Sequence, residues 1–210
     1  MPTHFSSGVS NTSAGDPLYE FGMLDPTKWH IFFDDFDTTP IAAQWTLTAT
    51  SAGSGTSAIT VPDADGGLAR ITTAANENDG IFAEWISESF LLESGKKTFM
   101  KTRFQVGDAV QSDLIVGLHS TDTTPLDATM RFAFVSEDAS ASVFFNSDNN
   151  TTDSDSSSLA TLADVNDAKV TTMTGVGVPG AEMAMGLGYL NGAAGAETAD
   201  VDYIFVAKER

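Results

Sequence analysis

From Trp29 to its last residues the chain runs in short stretches of alternating polar and apolar residues, and the two most aromatic stretches stand at either end of this series. Thr198-Ala-Asp-Val-Asp-Tyr-Ile-Phe-Val-Ala-Lys-Glu-Arg210 reads as a strand, and Trp29-His-Ile-Phe-Phe-Asp-Asp-Phe36 is its counterpart near the front. Side chains alternate along a strand, which places Val201, Tyr203, Phe205 and Ala207 on one face and Ile204 and Val206 on the other. Both faces are apolar over the second half, so the pattern predicts a strand covered on both sides. Two terminal strands of this kind predict a β-sandwich that closes by pairing its ends.

The intervening sequence fits that expectation. Trp45–Thr50, Ile59–Val61, Gly67–Thr73, Gly80–Ile86, Phe90–Leu92, Lys97–Val106, Leu114–His119, Met130–Val135 and Ala141–Phe145 each read as strands, separated by turns rich in Gly, Asp and Ser. In Lys97–Val106 one face holds Phe99, Lys101 and Arg103, while Met100, Thr102, Phe104 and Val106 form the face expected to be buried. Helical spacing is confined to Ser157–Val165, where Leu159, Leu162 and Ala163 predict a short helical turn. No internal repeat is apparent. The 210 residues include 14 Phe and 3 Trp, enough to fill the core of one two-sheet domain over 29–210. There is no Cys, so neither disulfides nor thiol chemistry are available.

Residues 1–28 have a different texture. Met1–Pro17 is rich in Ser, Thr and Gly, with Phe5 and Val9 as its apolar anchors; Leu18, Tyr19, Phe21, Met23 and Leu24 follow, up to Asp25-Pro26. A segment of this composition cannot build a core of its own, and reads as an extended N-terminal arm that lies on a neighbouring chain or on its own domain.

Charge narrows the partners. With 29 acidic against 10 basic residues the net charge is −19. Such a surface repels nucleic acid and anionic membranes, whose binding draws on Lys and Arg. No stretch approaches the ~20 apolar residues of a membrane span, and no signal peptide follows Met1. The expectation is a soluble chain made in the cytoplasm, with neither nucleic acid nor membrane as partner.

The sequence holds residue types of several enzyme patterns and completes none of them. His4, His30 and His119 lack a second His at ligand spacing. His119, Ser120 and Asp122 have the residue types of a triad, yet sequence neighbours seldom form that geometry. Glycosidases need two carboxylates ~5–9.5 Å apart; Asp200/Asp202 and Glu84/Glu88 are the available pairs, and a solvated strand end explains the second. Acidic groups at Asp34/Asp35/Asp37, Asp63/Asp65 and Asp148–Asp155 suggest Ca²⁺. Read as a calcium loop from Asp153, however, the chain has Ser158 where Gly is needed and Asp164 in place of the bidentate Glu. An EF-hand is therefore rejected, an irregular Ca²⁺ site stays open, and solvated loops are the default. No cofactor is expected. Trp29, Trp45 and Trp85 all fall in strands; Trp85, between Glu84 and Ile86, is the one expected nearest the surface and so the candidate for ligand stacking.

Several segments carry a likeness: Thr3-His-Phe-Ser-Ser-Gly-Val-Ser-Asn11, Asp25-Pro-Thr-Lys-Trp-His-Ile-Phe-Phe-Asp-Asp-Phe-Asp37, Leu118-His-Ser-Thr-Asp-Thr-Thr-Pro-Leu-Asp-Ala128, and the ending Asn191-Gly-Ala-Ala with Val201–Arg210. Over nearly its full length the chain resembles a family of tailed-phage structural proteins. The resemblance implies a concanavalin-like or laminin-G-like jelly roll that decorates the virion surface by docking on the major capsid protein without enzymatic activity. In such a docked protein the apolar residues of the arm, Phe5, Val9, Leu18, Tyr19, Phe21, Met23 and Leu24, are the expected partner-binding anchors. A homo-oligomer, such as a trimer about a symmetry axis, is expected. The alternative is a carbohydrate- or receptor-binding module of a head appendage or tail fibre. One departure bears on that alternative: where a pair of strands with an aromatic hairpin is expected, Lys169–Val178 and Met183–Leu187 are short and glycine-rich, which predicts a reduced concave face.

Overall fold

The computed structural model describes residues 26–38, 41–63, 66–108, 110–136, 142–149, 154–161 and 179–210. The seven arm anchors and the Lys169–Val178 segment lie outside them.

Two antiparallel sheets face each other. The smaller has five strands: β1 (Trp29–Asp34), β3 (Ala58–Thr60), β4 (Ala69–Thr72), β7 (Thr98–Val106) and β13 (Thr198–Glu209). The last of these is its spine. One side of β13 pairs with β7 along most of its length, and the other is shared between β4, opposite Thr198–Val201, and β1, opposite Ile204–Glu209. The first and last strands are therefore zipped together, Trp29 against Glu209 and Asp34 against Ile204. Beyond the strand, Arg210 donates from Nε to the carbonyls of Pro26 and Trp29, which fixes the entry into β1.

One feature of β13 departs from simple alternation. Val201 faces Phe104 and Tyr203 faces Arg103, which makes Asp202 an extra residue, a β-bulge. The bulge resets the period, so Val201, Ile204 and Val206 point together into the core while Tyr203 and Phe205 point outward. The expectation that Val201 shares a face with Tyr203 is corrected by this bulge. So is full coverage of both faces: Tyr203 and Phe205 are half-buried, and Phe33 beside them on β1 is 58% exposed.

The larger sheet runs in the order β11 (Ser154–Thr161), β10 (Ser142–Asn149), β9 (Met130–Ser136), β8 (Ser112–His119), β12 (Glu182–Asn191), β5 (Gly80–Trp85) and β2 (Trp45–Thr50), with β6 (Phe90–Leu91) also paired to β12. The segment expected to be short and reduced, Met183–Leu187, is part of the ten-residue central strand β12. Its glycines are the reason it looked weak. Gly186 and Gly188 leave room for His119 and Phe82 to lie across the strand, and a Cβ at either position would collide with those rings. The helical turn expected at Ser157–Val165 is corrected over its first five residues. Residues 157–161 belong to β11, where ladder pairing to β10 overrides the helical spacing that begins at Leu159; residues 162–165 lie outside the described residues.

Between the sheets lies one continuous core. Val201, Ile204 and Val206 of β13, with Phe32, Met100 and Phe104, meet Met183, Met185, Leu187 and Tyr189 of β12 and Leu114, Val116 and Leu118 of β8. Met100, Phe104 and Val106 face this core, as the alternation in that strand predicts. Each fully buried Leu, Ile or Met contributes about 1.5–3 kcal/mol. An aromatic cluster bridges the sheets at one end: Phe32 stands edge-on to Trp45 and Trp85 at 6.0 and 5.1 Å, and Trp45 edge-on to Trp85 at 5.5 Å. The Trp45 indole also donates to Asp34 Oδ2 at 3.1 Å, tying β2 to β1.

Candidate functional site

Among the described residues, two places combine exposure with chemistry. The first is a cleft of about 410 Å³ walled by Glu84, Glu88, Glu182, Trp85, Thr46 and Thr121. It lies where the loop after β8 crosses the outer face of the larger sheet. Strand order puts β12 between β8 and β5, and because Gly186 has no side chain, His119 reaches over it to Glu84. Nδ1 of His119 stands 3.4 Å from Glu84 Oε1 and 3.0 Å from the Ser120 carbonyl. The ring is fully buried, and that burial pushes its pKa down, so it stays neutral and donates from Nδ1 to Ser120.

Glu84 and Glu88 are pushed apart. Glu84 is 8% exposed, and burial raises its pKa even though Oε1 accepts the Asp122 N–H at 3.0 Å. Glu88 accepts the hydroxyl and N–H of Thr121 at 2.7 and 2.9 Å, and these bonds hold its pKa down. One carboxyl held toward its protonated form beside one held ionised is the division of acid and base found at catalytic sites. Here, though, each uses an oxygen to pin the loop from Thr121 to Asp122, which gives both a structural task. His119, Ser120 and Asp122 make no triad, since the imidazole turns to the Ser120 carbonyl and to Glu84. The contact between Glu84 and His119 was missed in the sequence. Its signal is the Gly-x-Gly alternation of β12, which marks neighbouring side chains crossing a strand.

Trp85 is the most exposed of the three Trp residues, with Trp29 at 8% and Trp45 at 2%. Part of it lines the cleft, while its ring packs on Phe32 and Trp45. Asp200 and Asp202, the other carboxylate pair, serve Arg70 at 2.7 Å and Arg103 at 3.1 Å. Of the candidate calcium acids, Asp34 accepts from the Phe36 N–H and the Trp45 indole, Asp37 from the Thr38 hydroxyl, and Asp148 faces Arg131 at 3.6 Å. Among the described residues no cluster of three or more His, Asp or Glu is arranged to hold a metal.

The second place is the outer face of the smaller sheet. Ladder pairing lines up Ile31 with Ala207 and Phe99, and Phe33 with Phe205 and Lys101, with Tyr203 and Arg103 in the next row. Phe33 and Ile31 are 58% and 39% exposed; Phe33 and Tyr203 lie 6.4 Å apart; Lys101 Nζ sits 5.4 Å above the Tyr203 ring. Exposed large apolar side chains grouped on one sheet face mark a contact surface.

No family model matches the chain, and no curated protein does. Among solved structures, the crystal structure of a protein of unknown function from Shewanella oneidensis MR-1 is similar with a TM-score of 0.53 and 12% identity over 87% of each chain. At that identity the likeness concerns fold, and it agrees with a two-sheet β-sandwich.

Proposed function

We propose that the chain is a non-enzymatic structural protein of a tailed-phage virion. In this reading its sandwich is a jelly roll that docks on the major capsid protein at the outside of the head. The observation that carries it is the apolar strip of Ile31, Phe33 and Tyr203 on the outer face of the smaller sheet, two of the three on β1, the strand into which the arm leads. At the other candidate site Glu84 and Glu88 are engaged in holding the loop from Thr121 to Asp122. A scaffold sealed by its own terminal strands, with an exposed strip and an apolar arm at one edge, suits attachment by many modest contacts. Phe5, Val9, Leu18, Tyr19, Phe21, Met23 and Leu24 are the anchors in that arm.

Co-sedimentation with phage heads tests this reading. Full-length protein is expected to pellet with heads, and a variant lacking residues 1–24 to remain in the supernatant while keeping its β-rich circular dichroism. Equal pelleting of the truncated protein would refute the role of the arm. The cleft at Trp85 favours a second reading, a carbohydrate- or receptor-binding module on a tail fibre or head appendage. The two differ in where the subunit sits on the virion.

A further inference from the structure

Among the strands that border the two sheets, β1 is the unguarded one. It pairs with β13 on one side, and no described residue pairs with it on the other. Its register is unbroken from Trp29 to Asp34, with neither proline nor lysine along it. An open row of backbone N–H and C=O groups is a template for another strand, and folds blunt such borders with short strands, charges or bulges. The other borders are blunted: β7 carries Lys101 and Arg103, β3 has three residues, and β2 and β11 are rich in Thr or in Ser and Asp. On β1, Ile31 and Phe33 instead stand 39% and 58% exposed beside the open edge.

The segment from Lys28 to Asp34 is also complementary to itself. Lys28 and Asp34 are its ends, Trp29 and Phe33 come next, His30 and Phe32 lie inside them, and Ile31 is the centre. Opposed residues of an antiparallel pair lie on the same face, and a slip by one residue turns outward side chains against the core side. A two-fold axis at Ile31 meets that condition. It sets Trp29 of each copy opposite Phe33 of the other on the outer face, and Lys28 opposite Asp34. Asp34 accepts the Phe36 N–H on Oδ1 and the Trp45 indole on Oδ2, so each oxygen keeps a lone pair for the ammonium.

We propose that two copies of this chain pair edge to edge through β1, antiparallel about a two-fold axis at Ile31. The smaller sheets of the two copies then run on as one, and both apolar strips of Ile31, Phe33 and Tyr203 face the same way. Such a contact is isologous and small, so association is weak and grows with concentration. The net charge of −19 opposes it at long range. At physiological ionic strength that repulsion is screened beyond about 8 Å, whereas the ladder bonds act at contact. The inference goes beyond capsid attachment and does not rest on it, because it concerns the free protein.

The full chain has no Cys, so Ile31→Cys introduces a single thiol that meets its own copy across the axis. Under mild oxidation it is expected to form a disulfide-linked dimer about tenfold faster than two control variants, through its higher effective concentration. The controls are Phe33→Cys, which faces Trp29 of the other copy, and Val110→Cys, which is 47% exposed beyond the far end of β7. In sedimentation velocity the unsubstituted protein is expected to pass from monomer to dimer as its concentration rises. Ile31→Lys sets a charge on the open edge and should raise the concentration required about tenfold, with circular dichroism unchanged; Phe33→Lys provides the same readout at a more exposed position. Equal crosslinking rates for the three cysteine variants, a monomer at every concentration, or an assembly of trimer mass would each overturn the proposal. Co-sedimentation of the truncated protein with heads reads the arm and not this edge, so the two readings fail separately.

Discussion

His119 shows how a single buried group leaves a trace in solution. Its imidazole lies over Gly186, ringed by Glu84, Glu88, Asp122 and Arg131, and burial holds its pKa below its ordinary value of 6.5. As pH falls through 6.5 the unfolded chain takes up a proton that the folded chain refuses, so the stabilising contribution is full above 6.5 and is lost as pH falls toward the lower folded value. Glu84 acts in the opposite sense. Its folded pKa is raised above 4.5, so the folded state gains on the unfolded one as pH falls and loses as pH rises through the raised value. The His119 contribution is isolated by difference. His119→Gln is expected to flatten the loss of urea stability on acidification below 6.5, by up to ~1.4 kcal/mol per pH unit. Parallel pH profiles for the two proteins would show that the ring takes up its proton alike in the folded and the unfolded chain. Nothing in the spacing of Glu84 and His119 reveals their contact, because they meet across a third strand; the glycines of that strand mark only that side chains cross it, and which ones do depends on strand order.

Strand β13 was the most legible element, and its one surprise is a single residue. Alternation, aromatic content and pairing with β1 follow from the letters Val201–Ala207, whereas the bulge at Asp202 does not: an extra residue in one strand is defined by the register of its partner, β7. The account predicts opposite outcomes for two deletions. Removing Asp202 restores a regular ladder with Val201, Ile204 and Val206 still inward, at the cost of the exposed pair with Arg103, and should lower stability by only ~1 kcal/mol. Removing Phe205 carries the following residues to the wrong face, putting Lys208 where Ala207 belongs, and should abolish cooperative unfolding. Thermal melts of both variants check this, and equal tolerance would mean that β13 is not the spine of its sheet. Strand β12 was misread for a related reason. Glycines that weaken an isolated strand are required here by the rings of His119 and Phe82, which belong to its neighbours.

At the scale of the whole molecule, a sandwich locked by its first and last strands turns one sheet face outward, with the exposed Ile31 and Phe33 in the same rows as Lys101 and Arg103. The sandwich class was readable because short alternating strands and turn residues recur along the sequence. The site was not, because exposure at Ile31 and Phe33 depends on which strands flank β1, and the cleft depends on a loop crossing from β8 to β5. The proposal that this surface and its arm attach the protein to a phage head is tested most directly by cryo-electron microscopy of intact virions that carry it. The account predicts sandwich-shaped density repeated over the head exterior, with the β1–β13–β7 face and the arm toward the shell. Density confined to the tail fibres or to a head appendage, or an arm pointing away from the shell, would contradict it.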